Sequence, residues 1–162
     1  GVDRLAPRVS DTAIRFWRLY LGLTVLFAVG FLVAGMGPFD AVAHALTTAS
    51  TGGFSTRDAS IGYWDSVAVE SVLIVALIIA AASFTLHSRS WSRKRITHFG
   101  DHEFPGFVSV LAICTLVVST LLALDGMAPA RALRIGLFNV VTLGTSGGFG
   151  NATGAGSDGY IR

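Results

Sequence analysis

The stretch His44-Ala-Leu-Thr-Thr-Ala-Ser-Thr-Gly-Gly-Phe54 aligns without a gap to Asn139-Val-Val-Thr-Leu-Gly-Thr-Ser-Gly-Gly-Phe149. Thr47 pairs with Thr142, Ser50 with Thr145 and Thr51 with Ser146, and the Gly-Gly-Phe triplets coincide. Self-similarity at this level means one structural unit built twice, so both copies have to be read together.

Each stretch closes a short apolar run opened by a proline, Pro38 in the first copy and Pro129 in the second. Proline suits the first helical turn, where its missing N–H has no intrahelical partner anyway. Asp40 would sit favourably against the positive end of the same helix. A run of this length is too short to cross a bilayer, which takes about 20 apolar residues, and between two spans it reads as re-entrant or interfacial.

Three longer apolar segments flank the short runs, at about 16–36, 67–86 and 104–124. The repeating unit is therefore span, short helix, glycine loop, span. Residues 1–100 form one whole unit, with spans at about 16–36 and 67–86, a short helix at about 38–50, a loop at 50–55 and a linker. Residues 101–162 form part of a further unit, with a span at about 104–124, a short helix at about 129–144 and a loop at 145–150.

Composition supports a membrane setting. The 162 residues are 52% hydrophobic and only 14% charged, where soluble domains carry about 25% charge. The net charge of +2 comes from basic residues clustered at the ends of apolar segments, not from the interleaved basic and aromatic surface that nucleic acid requires. Cys114 stands alone in an apolar run, which rules out an internal disulfide or a cysteine metal site and leaves a small packing residue. The chain has no initiator Met and stops just after a glycine-rich loop, which reads as a piece of a longer protein.

Arg4, Arg8, Arg15 and Arg18 precede the first span, and Arg89, Arg93, Lys94 and Arg95 fill the linker after the second. Lysine and arginine mark the cytoplasmic side, so residues 1–15 and 87–103 are placed inside. The short helix and glycine loop of each copy then enter from the outer side.

Irregular backbone at membrane depth is tolerated only where protein buries it or water lines it. Glycine permits backbone angles that aim successive carbonyl oxygens at one axis, and rings of such carbonyls replace the hydration shell of a K⁺ ion. The negative end of each short helix points at its loop, which favours a cation. The hydroxyls of Ser50, Thr51, Thr145 and Ser146 either add oxygens or brace the loop, and the pattern leaves both uses open. The bland alternative is a non-conducting membrane scaffold or assembly subunit whose Gly-Gly pairs are only turns. Neither loop has the lysine of a phosphate-binding loop or follows a strand.

Other polar residues carry less. Glu70, about one turn inside the second span, reads as a brace for the short helix or loop, or as an attractor of cations. Asp58, Asp65, Asp125 and Asp158, with Arg57, Arg131 and Arg134, read as solvated outer surface. His44 is replaced by Asn139 in the second copy, which suits a hydrogen-bonding packer better than a metal ligand. His87, His98, Asp101, His102 and Glu103 lie in a basic linker that fits lipid headgroups or a partner. No nucleophile has a base and an orienting group placed for it, so the chain is read as not an enzyme.

The residues resemble the TrkH, KtrB and HKT superfamily of potassium and sodium transporters, the TrkH branch above all. The resemblance rests on Arg18-Leu-Tyr-Leu-Gly-Leu-Thr24, Ala34-Gly-Met-Gly-Pro-Phe-Asp-Ala41, Ser50-Thr-Gly-Gly-Phe-Ser55, Asp58-Ala-Ser-Ile61 and Leu137-Phe-Asn-Val-Val-Thr142. It implies a pore chain of four such repeats, of which this sequence carries the second and part of the third. It also implies that Thr51, Gly52, Gly53, Phe54, Thr145, Ser146, Gly147, Gly148 and Phe149 belong to two quarters of a selectivity filter that binds K⁺ through backbone carbonyls. Glycine at the filter positions accompanies K⁺ preference in the family. The third-repeat loop Ser-Gly-Gly-Phe-Gly departs from the Thr-Thr-Gly-Tyr and Thr-Ala-Gly-Phe forms common among members.

The implied partners are the rest of the four-repeat pore, a second pore chain in a homodimer, a cytoplasmic nucleotide-binding subunit of the TrkA or KtrA type, and the lipid of a bacterial plasma membrane. No bound cofactor is implied, and K⁺ is the transported ion. The expected fold is an all-α, K⁺-channel-like membrane protein.

Overall fold

A computed structural model describes residues 6–81 and 103–151. Among these residues five α-helices occur: α1 Ala6–Val33, α2 Pro38–Ala49, α3 Val67–Ala81, α4 Glu103–Leu124 and α5 Pro129–Gly144, with a short 3-10 turn at Ser60–Tyr63 between α2 and α3. No strand occurs among the described residues. The fold is the all-α membrane architecture expected, with long helix, short helix and glycine loop appearing twice.

Helix lengths set two of these helices apart. At about 1.5 Å per residue, the 28 residues of α1 and the 22 of α4 exceed an apolar slab of about 30 Å, whereas the 12 residues of α2 and 16 of α5 fall short. Among the described residues, Phe16–Val33 and Phe104–Leu124 are the two apolar helical stretches long enough to cross. Of the segment 67–86, expected as the second span, the 15 residues Val67–Ala81 form α3, an apolar helix shorter than a bilayer crossing. Its continuation over 82–86, the linker carrying Arg89 to Arg95, and residues 1–5 lie outside the described residues.

The long helices end the same way. After α1 the N–H of Gly35 reaches Leu32 O and that of Met36 reaches Phe31 O; after α4, Gly126 reaches Ala123 O and Met127 reaches Leu122 O. Both glycines are left-handed, with φ of 103° and 94°, which is how a helix terminus satisfies its last carbonyls before reversing direction. The reversal feeds Pro38 and Pro129 into the first turns of α2 and α5.

Within each unit the short helix lies against the long one, α2 on α1 and α5 on α4, while α3 packs on α1, α2 and α5 and so joins the units. The shared core contains Phe27, Phe31, Ile61, Leu73, Leu77, Phe138 and Phe149. The outer faces are apolar and bare: Leu21, Val25, Leu26, Val29 and Leu32 on α1, and Ile113, Leu116, Val117 and Leu121 on α4. Faces this continuous are excluded from water in a folded protein, and lipid is the solvent that accepts them.

Small residues set the closest helix contacts, as is usual where lipid supplies no hydrophobic drive between helices. A methyl group at Gly136 of α5 would overlap Ser119 Oγ of α4 and meet the Ser119 backbone nitrogen at 3.2 Å. Gly136→Ala is therefore expected to lower the thermal unfolding midpoint of the detergent-solubilised protein, at a cost of about 1–3 kcal/mol. Ser119→Ala added to it should recover part of the loss, because the Ser119 hydroxyl has no protein partner to forfeit.

Candidate functional site

The two glycine loops adopt one backbone pattern. Thr51 and Gly53 have φ of 50° and 69°, and the matching Ser146 and Gly148 have 58° and 71°, while Gly52 and Gly147 between them are not left-handed. Each loop starts from the same helix exit: Ser50 N–H to Leu46 O and Thr51 N–H to Thr48 O in the first, Thr145 N–H to Val141 O and Ser146 N–H to Leu143 O in the second. A left-handed residue without a glycine costs about 1–3 kcal/mol and persists only where its surroundings impose it.

The paired threonines tie each loop to its short helix. Thr47 Oγ1 donates to Phe54 O at 2.9 Å, whereas Thr142 Oγ1 accepts from Phe149 N–H at 2.8 Å. The hydroxyls of Ser50 and Thr145 donate back to Leu46 O and Val141 O in the helix that leads into each loop.

His44 and Asn139 occupy one place with two chemistries. The His44 Nδ1–H donates to Asp40 O at 2.7 Å, which leaves Nε2 to accept from Ser55 Oγ at 2.9 Å. The Asn139 amide donates to Ile135 O at 2.9 Å and to Asn151 Oδ1 at 3.2 Å. Each side chain binds the carbonyl four residues earlier and then the chain leaving the loop. His44 is fully buried and lies edge-on to Phe31 and Trp64. Among the described residues no group of three or more His, Cys, Asp and Glu gathers around a metal position. His87, His98, Asp101 and His102 of the linker lie outside those residues.

The loops of the two units touch. A methyl at Gly53 would overlap Gly147 O and meet the Gly148 Cα at 3.0 Å; one at Gly147 would come within 2.7 Å of the Leu77 side chain from α3. Phe149 stacks on His44 with ring centroids 6.1 Å apart. Only residues without a Cβ can bring two backbones so close.

Charged residues that looked like solvated surface prove to be tied. Arg134 of α5 donates to Glu70 Oε2 at 2.8 Å and Oε1 at 3.1 Å, and to Asp65 Oδ1 at 2.8 Å. Glu70 is buried, so its bracing role is real, but it braces the short helix of the other unit. Arg57 donates to Asp40 Oδ2 at 2.9 Å and lies 4.5 Å above the Tyr63 ring, and Thr56 Oγ1 donates to Asp40 Oδ1 at 2.6 Å. Arg134, partly covered, thus departs from the surface reading, whereas Arg57 and Asp65 are exposed as expected and pair at the surface with partners 17 and 69 residues away. Cys114 is exposed on the described chain, on the outer face of α4.

The hydrogen bonds from Thr56 and Arg57 hold the Asp40 carboxyl below its ordinary value of 3.8. Because that pKa is lowered on folding, the tie is fully present at neutral pH and is lost only as pH falls through the lowered value. Protease access to the 55–59 segment is expected to stay constant between about pH 5 and 8 and to rise in Asp40→Asn. Thr142→Val orphans the buried Phe149 N–H, and thermal unfolding in detergent should show a loss of about 1–3 kcal/mol.

Comparison with known proteins agrees with this geometry. The profile of the TrkH family, described as cation transport protein, matches residues 3–149. The Trk system potassium uptake protein TrkH of Halomonas elongata is 41% identical over 149 residues, covering 91% of this chain and 31% of that protein. TrkH of Escherichia coli K12 is 35% identical over 154 residues, with the same shares. The crystal structure of the potassium transporter TrkH from Vibrio parahaemolyticus superimposes with a TM-score of 0.85 at 39% identity, over 90% of this chain and 32% of that one. The chain thus spans about a third of the length of these relatives. A family match over most of the chain and a fold match at that identity lead to one assignment: the chain belongs to the TrkH family.

Proposed function

We propose that this chain supplies two loops of a carbonyl-lined selectivity filter through which a larger pore protein takes up K⁺ across a bacterial plasma membrane. The observation that carries the reading is the shared backbone pattern of Thr51-Gly52-Gly53 and Ser146-Gly147-Gly148, set in contact at the ends of two short helices. Alternating signs of φ turn successive carbonyls to one side of a strand, which is the arrangement an ion needs to exchange water for carbonyl oxygen. The helix ends add negative potential at the same place. Phe54 and Phe149 close the loops and anchor them to the short helices. The reading makes the chain a transporter segment and not an enzyme, and the names of the relatives as potassium uptake proteins support it.

The reading includes further span, short helix, loop units of the same pore, residues 1–100 being the second repeat and 101–162 part of the third. Matched positions support this. Phe149 is 2% exposed and Val141 1%, because the second unit is backed by the first; their counterparts Phe54 and Leu46 are 75% and 44% exposed. Gly147 lies beneath Leu77, whereas Gly52 meets only its own loop. A preceding unit set against the first as the first is set against the second would cover both. Residues 1–15 and 87–103 are placed on the cytoplasmic side, facing a nucleotide-binding regulatory subunit of the TrkA or KtrA type, and two pore chains form a dimer. The description of the relatives as parts of a Trk system fits an assembly of several components.

The test is Rb⁺ uptake into proteoliposomes carrying the full-length protein, with K⁺ and Na⁺ as competitors. Wild type is expected to be inhibited far better by K⁺ than by Na⁺. Gly53→Ala and Gly53→Ser, which add a Cβ where Gly147 O already sits, should erode that preference. Uptake in a folded protein that ignores Gly53 would remove the loop from the filter.

A further inference from the structure

The segment between the first glycine loop and α3 holds two non-glycine residues in the left-handed region, Ser60 at φ 51° and Asp65 at φ 39°. They bracket the 3-10 turn, and each bonds across to the second unit. Ser60 Oγ accepts from Gly150 N–H at 3.2 Å, and Gly62 N–H donates to Gly150 O at 3.3 Å. Asp65 accepts from Arg134 Nη2, and Glu70, five residues on, accepts the other arm of the same guanidinium. Between them Ile61 is fully buried and Trp64 packs edge-on against His44 at 5.1 Å. Strain kept in place by cross-unit bonds at both ends of a short strap marks a constrained element.

The two grips fall on either side of one loop. Arg134 lies in the second turn of α5, ahead of Thr145–Phe149, and Gly150 follows immediately after. The strap therefore fixes the entry and the exit of the second glycine loop relative to the first unit. Gly53 and Gly147 are already in contact, so a displacement of α5 against α3 has no slack in which to be absorbed. A forked guanidinium on a buried carboxylate is suited to setting geometry, since a buried ion pair contributes little net stability over an apolar contact.

We infer that the strap Ser60–Asp65, with Glu70 and Arg134, is a positioning clasp that sets the spacing of the two glycine loops and through it the ion preference of the pore. Its members touch the loops' flanks and not the ion. The inference rests on the filter reading above. It differs from cation attraction by acidic residues, because K⁺ and Na⁺ carry the same charge and a surface field raises both alike.

The experiment uses the full-length protein in proteoliposomes and reads the ratio of K⁺ to Na⁺ competition against Rb⁺, at low and at high ionic strength, beside thermal unfolding of each variant. Ser60→Ala, Asp65→Asn and Arg134→Lys are expected to stay folded and to lower the ratio by about 3- to 10-fold, the range of coupling carried by contiguous groups. The change should persist at high salt, where surface fields are screened. Arg134→Lys keeps the charge and loses the fork, so a shift there reports geometry. Should Arg134→Lys fail to fold, the double variant Glu70→Gln with Arg134→Gln, which leaves no unpaired buried charge, replaces it. An unchanged ratio in folded variants, with only rate or melting temperature altered, overturns the clasp. A wild type without K⁺ preference overturns the filter reading instead.

Discussion

Unsatisfied backbone is the constraint on which this structure turns. Between Ser50 and Phe54, and again between Thr145 and Phe149, the chain leaves its helix without entering another, in a protein whose remaining surface is adapted to lipid. Each freed N–H and C=O has to find a partner inside the protein or face water. The short helices answer part of the demand by ending against their own loops, through Thr47 O to Gly52 N–H and Thr142 O to Gly148 N–H. Hydroxyls of Thr47 and Thr142 answer more. What is left over is the set of backbone groups that the proposed filter would turn to an ion.

The architecture was legible because its signals are local. Proline at the start of each short helix, glycine after each long one and the recurring Gly-Gly-Phe each act within a few residues, so their physical meaning survives without knowledge of the fold. The ion pairs were not legible: Glu70 and Arg134 are 64 residues apart, and nothing in either neighbourhood distinguishes a clasped arginine from a solvated one. The left-handed Ser60 was equally hidden, since serine gives no warning of positive φ. One signal was available and passed over. Arg134 stands where loop-based alignment puts Phe39 in the other copy, and an arginine replacing an aromatic residue at a matched site marks a position whose surroundings differ.

His44 and Asn139 illustrate how a repeat diverges without losing its purpose. Both reach the carbonyl one turn back and the chain leaving the loop, but the imidazole also offers ring faces and edges to Phe149, Trp64 and Phe31. The amide cannot do that. The first copy thus needs the larger residue because its short helix backs the aromatic of the next unit, and the second copy, at least toward the residues described, has no such neighbour to hold.

The inequality of Arg134 and Phe39 carries a consequence for how the two units are ordered. Units that were interchangeable could close in any sequence around an axis, as identical subunits do. Here a permutation that seated a second copy of the first unit where α5 lies against α3 would bring Phe39 to Glu70 and strand a carboxylate in an apolar seam, a penalty of several kcal/mol. The seating plan of the units is thereby written in mismatches as much as in matches, and joining the copies in one chain is what lets each carry a side chain that would be ruinous if repeated at every seat.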